Sequence, residues 1–182
     1  MVLIWNARLT YEGGRKLMER LFRKELMAVL PEYIRSKGNC TVVYLEKMEP
    51  FVIERSIKTV IKALERHYKV TPREVKTKYQ HLISSSNLIP MPLSEENIFV
   101  PIKTRTPICK NDGAFSYINI KHIYIVTDKK DYREVCLSDG KIIKSISTLP
   151  TLQNHIRNGY IIKSFHKDYS INVAENEGDY VG

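Results

Sequence analysis

Hydrophobic residues Ile53, Ile57, Val60, Ile61, Leu64 and Tyr68 mark one face of a 3.6-residue repeat, with Glu54, Lys58, Lys62, Glu65 and Arg66 on the remainder. This spacing predicts an amphipathic helix over 53–68, supported by the Glu54–Lys58 pair at i,i+4 and ended by Thr71-Pro72. A second helical period, carried by Leu17, Met18, Leu21, Phe22 and Leu26, precedes the apolar run 27–30, which suits strand as well as helix. Residues 2–5 read as a short strand, and the β-branched segment 40–45 as another.

From 97 onward the pattern turns to β. Residues 97–102 form an apolar run behind the Pro90 and Pro92 segment, which those prolines confine to extended surface chain, with 84–87 as a loop before it. Residues 103–112 read as a loop, 115–122 alternate as strand, and 122–127 read as its extension or as a new strand. The runs 132–137 and 141–147 flank Asp139-Gly140, the strongest hairpin signal in the chain. Leu149, Leu152, Ile156 and Tyr160 then space as a short helix, with Pro150 near its first turn. The predicted fold class is α+β: a β-dominated single domain, an antiparallel meander over 97–147 packed by helix 53–68 and closed by helix 149–160. Residues 1–24 form an N-terminal extension, 25–165 the domain and 166–182 an acidic tail.

Charge changes the picture more than composition does. The 182 residues carry a formal net charge of +9. Residues 167–182 hold Lys167 against Asp168, Glu175, Glu177 and Asp179, which is −3, so the body carries +12. A basic body of this kind favours nucleic acid or another polyanion as partner. Cys40, Cys109 and Cys136 are odd in number and lack a CxxC pair, which suits a reducing compartment rather than a disulfide framework. The N-terminus is unconvincing as a signal peptide and no apolar window reaches membrane-spanning length, so a cytoplasmic location without membrane contact is expected.

Phosphate-binding loops, zincin helices and nucleophile elbows are absent from the sequence. Cys109 and the distant His122 could be drawn as nucleophile and base, but a loop cysteine is the plainer reading. Asp128 and Asp131 among Lys129, Lys130 and Arg133 look like a solvated turn. No enzyme activity, cofactor or metal is expected. The cations are more informative: Lys103, Arg105 and Lys110 share a loop with Thr104 and Thr106, and Lys121, Lys129, Lys130, Arg133, Lys141, Lys144, Arg157 and Lys163 follow. Such groups neutralise phosphates and release counterions, a salt-sensitive and sequence-independent affinity. Asn119, Asn154 and Asn158 are candidate base readers.

The order of Ala28-Val29-Leu30-Pro31-Glu32, Glu54-Arg55-Ser56, Leu82-Ile83-Ser84 before a proline-bearing segment, and Phe99-Val100-Pro101 resembles the competence transcription factor (ComK) family of Gram-positive bacteria. So do His122-Ile123, the Asp139-Gly140 hairpin, and Ile146-Ser147 before Leu152-Gln153-Asn154. The likeness covers roughly 25–162, and the part from Ile118 onward also looks like a LytTR-type DNA-binding domain. The resemblance implies a transcription activator that binds double-stranded DNA at AT-rich promoter boxes, engages the minor groove, bends the duplex and acts as a homodimer or higher homo-oligomer. It also implies control through a proteolytic adaptor. From the charge pattern and residue chemistry rather than from the family, the expected DNA-binding set is Lys103, Thr104, Arg105, Lys110, Lys121, Lys144, Asn154, Arg157 and Asn158. An RNA-binding β module, with Phe115, Tyr117 and Tyr124 as stacking residues, and a diverged protein-interaction module are the alternatives.

Overall fold

The computed structural model describes residues 25–83 and 88–177, with side chains described through His166. The readings for 1–24 (strand 2–5 and most of the first helical period), for the loop 84–87 and for 178–182 lie outside the described residues. Strands β1 (Leu26–Ile34), β2 (Gly38–Leu45), β3 (Phe51–Ile53), β4 (Met91–Pro92), β5 (Ile98–Lys103) and β6 (Phe115–Asn119) form one antiparallel sheet in the order β3-β2-β1-β6-β5-β4. Strands β7 (Ile123–Asp128), β8 (Arg133–Leu137) and β9 (Ile142–Ser145) form a second, three-stranded sheet. With helices α1 (Ile57–Tyr68), α2 (Pro72–Tyr79) and α3 (Leu149–Glu177), the architecture is α+β and β-dominated.

The expected meander over 97–147 is therefore split between two sheets. A single 3₁₀ turn, Ile120–His122, separates β6 from β7. Helix 53–68 also starts later than its period suggested. Ile53 belongs to β3, paired with Thr41, and Ser56 caps α1 by accepting from the Thr59 N–H. The closing helix runs to Glu177 rather than ending at Tyr160, so it crosses the expected boundary between domain and tail.

Each face of the large sheet has its own core. On one side Ile57, Val60, Ile61 and Leu64 of α1 meet Val29, Val43, Leu45 and Phe99. Burying each such aliphatic side chain contributes about 1.5–3 kcal/mol as an upper estimate. On the other side Leu152 and Ile162 of α3, with Val135, Leu137 and Ile143 of the small sheet, cover Met27, Ile98, Val100, Ile118 and Ile120. Strands β1 and β5 are covered on both faces, which is why their sequences run apolar instead of alternating.

Two prolines sit inside paired strands without leaving a donor gap. Pro31 pairs with Thr41 of β2 after β1 has finished pairing with β6 at Val29, and Pro101 pairs with Tyr117 of β6 after β4 has stopped at Phe99. Each ring can thus lie on a vacated side of its strand. The segment around Pro90 and Pro92 does not wrap the surface as expected. Pro90, Met91, Pro92 and Leu93 are buried, and β4 is an edge strand.

Helix α3 crosses the sheet at close range because of Gly159. A Cβ there would stand 2.6 Å from Val100 Cγ1 and 2.8 Å from Ile120 Cγ2. Lys163 reaches Glu96 at 3.2 Å. These two anchors run α3 antiparallel to β5, so its first turns lie at the Lys103 end of that strand. At about 1.5 Å per helical residue and about 3.3 Å per strand residue, the level of Lys103 falls roughly seven residues before Gly159.

Candidate nucleic-acid interface

Several chain segments converge on that end of the molecule. The Ile146 N–H donates to the Lys103 carbonyl at 2.9 Å and the Ser145 hydroxyl to the same oxygen at 3.0 Å, which docks the end of β9 against the end of β5. Arg133 pairs with Ser145 and Glu134 with Lys144, so the β7–β8 turn with Lys129 and Lys130 lies there too. The β1–β2 turn, with Arg35, joins them through Tyr33 and Asn39. Lys103, Lys110, Lys130, Lys144, Arg157 and Arg35 all belong to this end, and none has an acidic partner among the described residues. Lys144 rests its ammonium over the Tyr132 ring, 4.7 Å from the centroid.

The loop between β5 and β6 is braced from within. The Tyr33 hydroxyl donates to Asp112 Oδ2 at 2.5 Å and accepts from the Ile108 N–H at 2.7 Å. Asn39 donates to Asp112 Oδ1 at 3.0 Å, and the Cys109 N–H donates to Oδ2 at 3.2 Å. The Tyr33 hydrogen bond holds the Asp112 carboxyl below its ordinary range. Arg105 closes the arrangement. Its Nε donates to the Gly113 carbonyl and its Nη2 to Asn39 Oδ1, both at 2.7 Å, while the guanidinium lies 3.9 Å over the Tyr33 ring. Gly113 leaves room beneath, where an added Cβ would press on Ile57.

The structure sorts the expected residues into different roles. Lys103, Lys110, Lys144 and Arg157 present cations at one end, and Arg157 also donates to Asn154 Oδ1 at 2.6 Å. Thr104 is partly buried and bonded to Ser116, so its hydroxyl serves the hairpin. Arg105 is a brace rather than a free cation. Lys121 leaves the set: it follows β6 at the opposite end and pairs with Glu25 at 3.1 Å. Burial pushes the Glu25 carboxyl up, but hydrogen bonds and charge from Lys121 and His122 outweigh it and leave it below the usual range.

Two of the candidate base readers are buried. Asn119 is inaccessible and ties β6 to the Leu26 carbonyl and to Asn97. Asn158 is 1% exposed, on the face of α3 that meets the sheet, and neither its Oδ1 nor its Nδ2 has a hydrogen-bond partner among the described residues. His155, one turn earlier on the same face, is buried as well, and desolvation lowers its pKa. A buried amide without partners costs stability that an apolar side chain of similar size would not. Asn158→Leu should therefore raise stability by about 1–3 kcal/mol and leave duplex affinity unchanged. A thermal melt with a parallel gel shift checks this; an unchanged or raised melting temperature together with lost binding would restore Asn158 as a reader, and a lower melting temperature would show that the buried amide has partners the apolar side chain cannot replace.

Sequence reasoning missed Arg35 and the bracing residues Tyr33, Asn39 and Asp112. Arg35 lies far from the basic loop in the chain, and only the β1–β2 hairpin brings it near. Among the described residues no helix is long and apolar enough to cross a membrane. No family model, no curated protein and no solved structure matches this chain.

Proposed function

We propose that this protein is a DNA-binding transcription activator that docks its basic end on AT-rich duplex. The observation that carries the reading is the gathering of Arg35, Lys103, Lys110, Lys130, Lys144 and Arg157, free of acidic partners among the described residues, around a loop held rigid by Arg105, Tyr33, Asn39 and Asp112. Cations supplied by several chain segments suit the phosphates on two sides of a groove, and a braced loop enters that groove without an ordering cost at the moment of binding. Narrow A-tract minor grooves concentrate negative potential and favour such groups. The activity is non-enzymatic and uses no cofactor.

The minor-groove mode, the homo-oligomer and the proteolytic adaptor rest on the resemblance to the competence transcription factor family. The single-stranded RNA reading has less support, because Phe115 and Tyr117 are half-buried in the hairpin and only Tyr124 stands well clear of the surface. A gel shift titrated with salt on AT-rich and GC-rich duplexes, with single-stranded RNA as competitor, tests the proposal. The expected result is a steep salt slope with AT-rich preference and a cooperative shift on paired boxes. Equal affinity for every sequence at every salt would reduce the function to nonspecific binding, and a non-cooperative shift would remove the oligomer.

A further inference from the structure

Ile108 stands at the apex of the braced loop with 76% of its surface exposed. A single exposed aliphatic residue is ordinary on a protein surface. Its setting here is not. The Ile108 N–H is pinned to the Tyr33 hydroxyl at 2.7 Å, the next residue is held to Asp112, and the Asp112 N–H donates back to the Cys109 carbonyl at 3.0 Å. Pro107 fixes the backbone just before it. The side chain is thus held outward by its own loop rather than left there by slack. Lys110 follows two residues later, and Arg35 lies on the hairpin that supplies Tyr33. An apolar side chain on a braced apex, in a loop that also carries Lys110, has the form of a wedge for a stacked polyanion: the cations of this end hold the phosphates while the aliphatic group enters where water is excluded.

We propose that Ile108 inserts between adjacent base pairs of the bound duplex from the minor-groove side, unstacking one step and kinking the helix axis. The inference rests on the duplex reading above and deepens it by naming what the apex does. Apolar side chains that enter the minor groove part base steps in this way, and the energetic cost depends on the step. Pyrimidine–purine steps unstack most readily, so a TA step is the favoured point of entry and an uninterrupted A-tract resists it. Sequence preference would then arise from deformability in addition to base-edge contacts. The bend comes from the wedge, and affinity comes chiefly from the surrounding cations.

The test uses the full chain and a short AT-rich duplex with a central TA step, 2-aminopurine beside that step and a donor–acceptor dye pair at the two ends. Binding of the unaltered protein should raise 2-aminopurine fluorescence and shorten the end-to-end distance. Ile108→Ala should abolish both signals and lower affinity about tenfold, the factor given by losing roughly 1.4 kcal/mol of apolar contact, without changing the salt slope. Ile108→Leu should restore the signals, and replacing the TA step by AA should weaken them in the unaltered protein. Because the residue is exposed, the Ala variant is expected to melt as the unaltered chain does. If the protein binds with a steep salt slope but the unstacking signal is absent, or survives in Ile108→Ala, the wedge is wrong and the basic-end reading stands. If the unaltered protein does not bind the duplex, both fall.

Discussion

A chain carrying Lys103→Ala, Lys144→Ala and Arg157→Ala together should bind AT-rich duplex about 10²–10³-fold more weakly near 0.1 M salt, with each lost phosphate contact contributing roughly 1–1.4 kcal/mol. The salt dependence should change with it. Each neutralised phosphate contributes about 0.9 to the slope of log K against log salt, so the triple variant should lose about 2.7. These side chains bear no acidic partner among the described residues; Lys144 and Arg157 are exposed and Lys103 is half-buried, and substitutions at exposed positions typically shift stability by only about 0.5 kcal/mol. Lys144 is the exception in kind, since truncation also removes its contact with the Tyr132 ring, worth about 0.5–1 kcal/mol at an exposed site. The control is Lys121→Ala. Its ammonium is paired with Glu25 at the opposite end, so its loss should leave slope and affinity nearly intact. Equal effects from the triple variant and the control would mean that charge anywhere on the surface suffices, and the assignment of one end would fail.

The contrast between Lys103 and Lys121 shows where sequence reading reached its limit. Both are lysines beside strands in the same basic region, and nothing local separates them. Glu25 decides the matter from 96 residues away. Helix α1 was legible because its core face repeats within the helix itself, and the β8–β9 hairpin because Asp139-Gly140 supplies the positive φ that its turn needs at Gly140. Strand β1 was ambiguous for a physical reason: with Met27, Ala28 and Val29 all buried, it carries no alternation to read. The division of the 97–147 region into two sheets was only half legible: 122–127 reads either as an extension of the preceding strand or as a new one, and nothing local shows that the 3₁₀ turn before it opens a second sheet. Asn158 was misplaced because an asparagine among apolar residues on a helix reads as exposed until a sheet is seen to cover it.

Arg105→Ala should behave differently from the lysine variants, although Arg105 sits in the same loop. Its guanidinium donates to Gly113 and Asn39 and lies on Tyr33, so removal breaks charge-assisted hydrogen bonds and a stacked contact at once. Those bonds span the loop and the β1–β2 hairpin, 66 residues apart in sequence. The expected loss is about 2–3 kcal/mol of stability, the range for removing one charged partner from a part-buried network. Duplex affinity should also fall, because the apex carrying Ile108 and Lys110 loses the support that positions it. The salt slope, however, should stay close to that of the unaltered protein, since this cation already has partners within the fold and releases few counterions on binding. Arg105→Lys should not rescue either property, because an ammonium cannot reproduce two forked N–H bonds and a planar stack. Thermal melts and salt-titrated gel shifts on both variants separate the cases. Were Arg105→Ala to melt normally while losing about 0.9 from the salt slope, Arg105 would be a direct phosphate ligand and the bracing role would be wrong.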